Sequence, residues 1–317
     1  MNRDSAPPAA APMIVVDSAA DVRDAVRAAR ERGVRIALVP TMGALHAGHR
    51  SLLDAARQRC DFVVATIFVN PTQFGPGEDF STYPRPIEAD LDVCRAAGVD
   101  LVFRPAAETV YPSGFATFVE VAGLSDVLEG AFRPGHFRGV ATIVLKLLNV
   151  VQPDALFVGQ KDYQQQLLLR RMCADLDLPV EVVACPTVRD PDGLALSSRN
   201  VRLAPDDRWT ALALSATLRE VRARLLAGET DVAAVRREMR ARLEAAPSVR
   251  VDYATVADAD TLAELDSPRL RMAALVAARV GGVRLIDNLP IDLSVIPAQA
   301  GIQPAVRAAA GCPPAQA

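Results

Sequence analysis

The chain has 317 residues, 50% of them hydrophobic, and a formal net charge of −3. That length holds two ordinary domains, or one large domain with an appendage, and leaves ample apolar surface for a core. The mildly acidic balance excludes a protein that tracks a nucleic-acid backbone, which needs a basic surface, but leaves open a local basic pocket for a small anion.

The cysteines Cys60, Cys94, Cys173, Cys185 and Cys312 are scattered and form no C-x-x-C pair, so neither a disulfide framework nor a zinc site is expected. The opening stretch MNRDSAPPAAAP has no apolar segment of secretory type. No uncharged apolar run reaches the ~18 residues of a membrane span, and the best one, at 140–151, is cut by Lys146. These features read as a cytoplasmic protein with reduced thiols and neither a membrane nor a nucleic-acid partner.

In chain order, residues 1–12 read as a disordered leader. Helical periodicity is expected at 21–32, a buried strand at 35–39, a helix at 51–59 and a second strand at 62–69. A helix at 88–97, a strand at 99–103, a helix at 140–151 and a strand at 155–158 follow. A helix at 163–176 and a strand at 180–184 complete the series. Strands separated by crossover helices imply an α/β domain over 13–188, a Rossmann-like parallel sheet. Beyond it, helices at 205–226 and 231–245 and strands at 251–256, 272–280 and 283–288 read as a smaller α+β lid domain over 189–290. Residues 291–317, rich in Ala, Pro, Gly and Gln, read as a disordered tail.

In open parallel sheets ligands lie beyond the carboxyl ends of the strands, so chemistry is sought in the loops after Val39, Val69 and Val158. The first holds VPTMGALHAGH, residues 39–49. Here Gly43 and Gly48 would let backbone approach a phosphate, a helix beginning near Gly48 would turn free N–H groups to the anion, and His46 and His49 would donate to phosphoryl oxygens. The second holds FVNPTQF, in which the amides of Asn70 and Gln73 suit a hydroxy acid better than a phosphate. The third, VGQKDYQQ, offers Gly159 for close approach and Lys161 as a point charge. Asp162 there can orient Lys161 or meet a ribose or a metal, and Gln164 and Gln165 follow. A fourth segment, DGLALSSRN at 192–200, carries Ser197, Ser198 and Arg199 and resembles a lid that closes on the β,γ-phosphates. Neither a G-x-x-x-x-G-K-S/T loop nor a G-x-G-x-x-G fingerprint is present, which argues against kinase-type and nicotinamide chemistry.

The H-x-G-H turn with the distal Ser-Ser-Arg loop resembles the nucleotidylyltransferase superfamily. More narrowly, PTMGALHAGH, FVNPTQF, GHFRGVATIVLKLLNVVQPD, GQKDYQQ and DGLALSSRN resemble, in order, the pantoate–β-alanine ligase family of pantothenate synthetases. The resemblance implies ATP as co-substrate, Mg²⁺, a homodimer, and condensation of (R)-pantoate with β-alanine through pantoyl-adenylate, releasing pyrophosphate and AMP. It further implies that ATP meets Met42, Gly43, His46, Gly48, His49, Gly159, Lys161, Asp162, Val188, Leu196, Ser197, Ser198 and Arg199. His49, His46, Lys161 and Arg199 are then the catalytic set, and Gln73 and Gln165 the pantoate and β-alanine contacts. Asp90, in YPRPIEADL, becomes an Mg²⁺ neighbour. Gln160 stands where the resemblance expects Glu, and Thr72 where it expects Met.

Three other readings stay open on residues alone. An adenylyltransferase acting on a phosphorylated cofactor precursor would need a basic acceptor pocket, where this chain has neutral amides. A non-catalytic nucleotide binder would be expected to have lost a phosphate contact. A tRNA synthetase fragment would need a basic surface.

Overall fold

The computed structural model describes residues 12–295. The expected leader, apart from Pro12, the expected tail after Val295, and Cys312 lie outside that span. The remaining cysteines, Cys60, Cys94, Cys173 and Cys185, are free and buried.

The first part of the chain runs β1 (Ile14–Val16), α1 (Ala19–Glu31), β2 (Ile36–Thr41), α2 (Ala47–Arg59), β3 (Phe62–Ile67), α3 (Ile87–Ala96) and β4 (Leu101–Phe103). It continues through two short helices, α4 (Ala107–Val110) and α5 (Glu129–Phe132), then α6 (His136–Val151), β5 (Ala155–Gly159), α7 (Tyr163–Asp175) and β6 (Glu181–Cys185). The strands form one parallel six-stranded sheet in the order β1-β4-β3-β2-β5-β6. β2 and β3 are buried almost throughout, as expected when crossover helices cover both faces of a parallel sheet. Val22, Val26, Val144 and Leu148 pack over one face, and Leu53, Ala56, Leu91 and Cys94 over the other.

The order also locates the site. From β2 the chain steps outward to β3 and β4, then crosses back to lay β5 on the other side of β2. The carboxyl ends of β2 and β5 therefore flank the topological switch point, where an open parallel sheet leaves a crevice. The loops at 41–49 and 159–162 face each other there.

The second part holds α8 (Pro205–Leu226), α9 (Val232–Glu244) and an antiparallel meander of β7 (Val249–Asp258), β8 (Arg271–Val280) and β9 (Val283–Asp292). β8 is buried at almost every residue because both its faces are covered. Met272, Ala274 and Val276 pack under α8 and α9, while Ala273 and Leu275 pack with Tyr163 and Leu167 of α7. That second contact seats the small domain against the large one, and the Tyr163 hydroxyl donates to the Ala259 carbonyl at 2.8 Å across the same seam.

Several boundaries differ from the expected ones, each for a local reason. Ser18 caps α1 by accepting from the Asp21 N–H at 3.1 Å, which starts the helix earlier than 21. α6 begins at His136, because Gly135 in the left-handed region (φ 82°) turns the chain into it. β9 runs to Asp292, paired through Ile291↔Met272 and Asp292↔Arg271, and a turn of 3-10 helix follows at Leu293–Val295, so the tail cannot begin at 291. The edge strand β1 is too short to show in the hydrophobic pattern.

Candidate active site

The turn between β2 and α2 is built from its own backbone. The Thr41 hydroxyl donates to the Thr66 carbonyl at 2.6 Å and accepts from the Gly43 N–H at 3.2 Å. The Asp90 carboxylate, on α3 and only 1% exposed, accepts from the Ala44 N–H at 2.9 Å and the Leu45 N–H at 2.7 Å. Both oxygens thus face main-chain donors inside the protein. Asp90 therefore does not fit the metal-neighbour role assigned to it, and serves as the brace that shapes the turn. Among the described residues no group of three or more His, Cys, Asp or Glu side chains is arranged to hold a metal ion. A Mg²⁺ ion is commonly held largely by substrate phosphates and water, which does not call for such a group.

His46 is the N-cap of α2, a position more often filled by Ser, Thr, Asp or Asn. Its Nδ1 accepts from the Gly48 N–H at 3.1 Å, and His49 Nδ1 accepts from the His46 N–H at 3.3 Å. The expectation that these N–H groups point bare at an anion is therefore corrected, because the histidines themselves cap them. The consequence is chemical: with Nδ1 accepting, each neutral ring carries its proton on Nε2. Burial lowers the His46 pKa, with Lys161 adding to it. Burial takes His49 down to about 3, reinforced by His46 and Lys161. Both rings are neutral donors at neutral pH. Gly48 is needed for this arrangement, since a Cβ there would lie 2.8 Å from the His46 ring.

Lys161, Asp162, Gln165, Ser197 and Arg199 line one cavity of about 410 Å³ between the two domains. Gln164, by contrast, is 4% exposed and spends its amide on the Glu129 N–H and the Leu124 and Val127 carbonyls, so it supports α5. Gly159 has open space where a Cβ would stand. The departure at Gln160 is anchored through its backbone: its N–H donates to the Cys185 carbonyl at 2.8 Å. Asn288, from β9, donates to the carbonyls of Gln160 (3.0 Å) and Lys161 (2.8 Å).

The lid segment is a tight hairpin. The Leu196 N–H returns to the Val188 carbonyl at 3.0 Å, Asp190 pairs with Leu194, and Arg189 and Ala195 form a bridge. Arg189 makes a two-pronged ion pair with the buried Asp287 of β9 at 2.6 and 2.8 Å. This brings Leu196 against the His46–His49 turn, within 3.8 Å of where a Gly48 Cβ would stand. Beyond it, Ser198 meets the Tyr83 hydroxyl at 3.3 Å. Arg199 grips Asp79 at 3.0 and 3.1 Å, with Arg202 on the same carboxylate at 2.9 Å. Burial alone would raise the Asp79 pKa, but the Arg199 hydrogen bond and charge outweigh it and hold it below the usual range.

Gln73 does not line the interdomain cavity; its Nε2 lies 2.9 Å from Met42 Sδ, beside the turn. The residues that join it to the cavity do not stand out in the sequence. His136 donates from Nδ1 to the Gln73 carbonyl at 2.8 Å and accepts at Nε2 from Arg133, 3.1 Å away. Burial and then Arg133 lower its pKa to about 4. Arg133 in turn pairs with Glu78 at 2.7 and 2.8 Å. The signal for His136 lies in GHFRGV, which reads as part of a motif and not residue by residue. For Asp79 and Asn288 the sequence offers no signal, since their partners stand 120 and 127 or more positions away.

A family model described as "Pantoate-beta-alanine ligase" matches residues 14–290. A pantothenate synthetase from Moorella thermoacetica is 52% identical over 89% of this chain and 100% of its own length. Among solved structures, pantothenate synthetase from Thermus thermophilus superposes with a TM-score of 0.83 at 48% identity, covering 87% of this chain and 99% of that one. Pantoate-beta-alanine ligase from Francisella tularensis, solved with beta-gamma ATP and beta-alanine, gives a TM-score of 0.71 at 33% identity over 88% of this chain and 97% of its own.

Proposed function

The chain belongs to the pantoate–β-alanine ligase family and joins pantoate to β-alanine with ATP as co-substrate, and we propose that it does so through a pantoyl-adenylate formed between the loops at 41–49 and 159–162. The observation that carries this reading is the pair of histidines whose Nδ1 atoms both accept from backbone N–H groups, which leaves the proton of each neutral ring on Nε2, with the Lys161 charge close enough to lower the pKa of both.

In the first step a pantoate carboxylate oxygen bonds to the α-phosphorus of ATP, and the bond to the β,γ-phosphates breaks, pyrophosphate leaving with the electron pair. The carboxylate is already ionised at neutral pH, so this step needs no base. It needs alignment and donors where charge builds. A histidine with a pKa of about 3 is a poor proton acceptor but keeps its Nε2–H as a donor. His46, His49 and Lys161 therefore act as stabilisers of the phosphoryl oxygens, and Met42, Gly43, Gly48, Gly159, Asp162 and Val188 frame the nucleotide. In the second step the β-alanine amine attacks the acyl carbon, AMP departs, and the amine loses a proton. Ser197, Ser198 and Arg199, immediately after the hairpin that abuts the turn, suit the β,γ-phosphates, and Gln73 and Gln165 suit the oxygens of pantoate. Mg²⁺, a homodimeric assembly and a cytoplasmic setting belong to this reading through the family. No helix among the described residues is long and apolar enough to cross a membrane.

The test is AMP production from ATP that depends on both pantoate and β-alanine, with pyrophosphate release requiring pantoate. AMP formed equally well without pantoate would overturn the reading, as would transfer to a phosphorylated acceptor in preference to it.

A further inference from the structure

Asn70 follows β3 and is 1% exposed. Its side-chain amide makes four hydrogen bonds. Nδ2 donates to Gln73 Oε1 at 3.1 Å and to the Gly139 carbonyl at 3.2 Å, while Oδ1 accepts from the Tyr111 hydroxyl at 2.8 Å and the Thr72 hydroxyl at 3.0 Å. Two N–H donors and two lone pairs are all that an amide possesses, so Asn70 is saturated. Its orientation is also fixed chemically. The Gly139 carbonyl can only accept, so the end of Asn70 that faces it must be the NH₂ end.

That polarity passes to Gln73. Facing an NH₂ group, Gln73 must turn its oxygen inward and its own NH₂ away from Asn70. Rotating the Gln73 amide by half a turn would set two NH₂ groups against each other, leaving the facing N–H of each without an acceptor. The outward Nε2 lies 2.9 Å from Met42 Sδ, and a thioether is a weak acceptor that a substrate oxygen readily outbids. The turn that carries Gln73 is seated on α6 with no slack, since a Cβ on Gly139 would come within 2.3 Å of the Thr72 carbonyl oxygen.

We infer that Tyr111 and Thr72 are positioning residues for the pantoate site: their hydroxyls hold the Asn70 amide, and Asn70 holds Gln73 with its NH₂ presented to the oxygens of the hydroxy acid. Neither residue reaches the reacting atoms by this route. The inference rests on the reading of Gln73 as a pantoate contact. Without the two hydroxyls the Asn70 oxygen faces no donor, only the Gly139 carbonyl still holds its amide, and the hold on Gln73 in the donor-out orientation is weakened.

The experiment compares wild type, the near-isosteric double variant Tyr111→Phe/Thr72→Val, and Thr72→Ser, which keeps a hydroxyl. Pyrophosphate release gives KM for pantoate and for ATP separately, and thermal melting reports folding. The double variant is expected to raise the pantoate KM roughly five- to twentyfold, on the scale of one or two lost hydrogen bonds, with the ATP KM within about twofold of wild type. Thr72→Ser is expected to leave both constants near wild type. A folded double variant with unchanged pantoate KM overturns the inference, and so does a rise shared equally by pantoate and ATP, which marks a general structural defect. If the double variant does not fold, Tyr111→Phe alone decides: a pantoate-specific rise supports the inference and none overturns it. Pyrophosphate release by the wild type that ignores pantoate would overturn the functional reading itself, and is recognised by appearing before any substitution is made.

Discussion

The turn at 41–49 is braced by Asp90, which is 1% exposed and bonded to two backbone N–H groups, whereas the segment at 197–202, just beyond the hairpin, lines the cavity with arginines that share Asp79, a side chain 14% exposed on another loop. The two carboxylates differ in what can replace them. A ligand would have to unfold the turn to compete with Asp90. A phosphate can compete with Asp79 directly, because it offers the same arginines more charge and more acceptor oxygens. The first region is preorganised, and the second is held by a contact that a ligand can exchange. This division suits a reaction that needs fixed donors at the α-phosphate and a closure that must reopen to release pyrophosphate.

The sharpest way to break the preorganised side is to remove its donors. His49→Ala and Lys161→Ala are each expected to slow pyrophosphate release by roughly 10²–10³, the usual cost of one transition-state donor. Circular dichroism should remain close to wild type for both, and melting for Lys161→Ala, while His49→Ala, which leaves the His46 N–H without its partner, should melt somewhat lower; near-wild-type release by either folded variant would count against the assignment. Next in size is Asp90→Ala, which orphans the Ala44 and Leu45 N–H groups at a cost of about 1–3 kcal/mol each. It should lower the melting temperature and activity together. Asp90→Asn, which keeps one of the two acceptors, should destabilise the turn less and leave the Mg²⁺ concentration for half-maximal activity unchanged, and a large rise in that concentration would restore the metal role.

The exchangeable side should respond in the opposite direction. Asp79→Asn frees Arg199 and Arg202, so the KM for ATP should fall by about two- to fivefold, the scale of one partly exposed ion pair. A rise in the ATP KM would show that Asp79 orders the hairpin for binding instead of competing with the nucleotide. A separate effect is on stability against pH. The pKa values of His46, His49 and His136 are all lowered from the ordinary 6.5, to about 3 for His49 and about 4 for His136. Below pH 6.5 the unfolded chain then binds protons that the native chain refuses. The stability these rings contribute is therefore fully present above that value and is lost as pH falls toward 4 and then 3. Melting temperatures measured from pH 7.5 to 5 should decline, and a level or rising trend would contradict the neutral-histidine account.

How much of this is legible in the sequence follows from the range of the interactions. The parallel sheet and the strand-end loops are readable because Ile36–Thr41 and Phe62–Ile67 are continuous apolar runs followed by helical periods. The H-x-G-H turn is visible, but its chemistry misleads: local spacing suggests bare helix N–H groups, and only the ring orientations show His46 and His49 capping them. Asp90 draws notice but suggests the wrong task, because a carboxylate near a phosphate loop reads the same whether it faces a metal or a backbone. Thr72 registers only as a departure from the family, and its hydroxyl gains meaning once Asn70 and Tyr111 stand beside it. Asp79 with Arg199, and Asn288 with Lys161, join segments more than a hundred positions apart, and no periodicity encodes such pairs.

Whether His46 and His49 are neutral rings held as Nε2–H donors is decided by ring-nitrogen NMR of ¹⁵N-histidine-labelled protein at pH 7. The chain has only three histidines, so the spectrum can be assigned with single substitutions. Protonated Nε2 and bare Nδ1 are expected for His46 and His49, and the opposite tautomer for His136, whose Nδ1 donates to the Gln73 carbonyl. An imidazolium signature at either His46 or His49, or a proton on Nδ1 of either ring, would contradict that expectation.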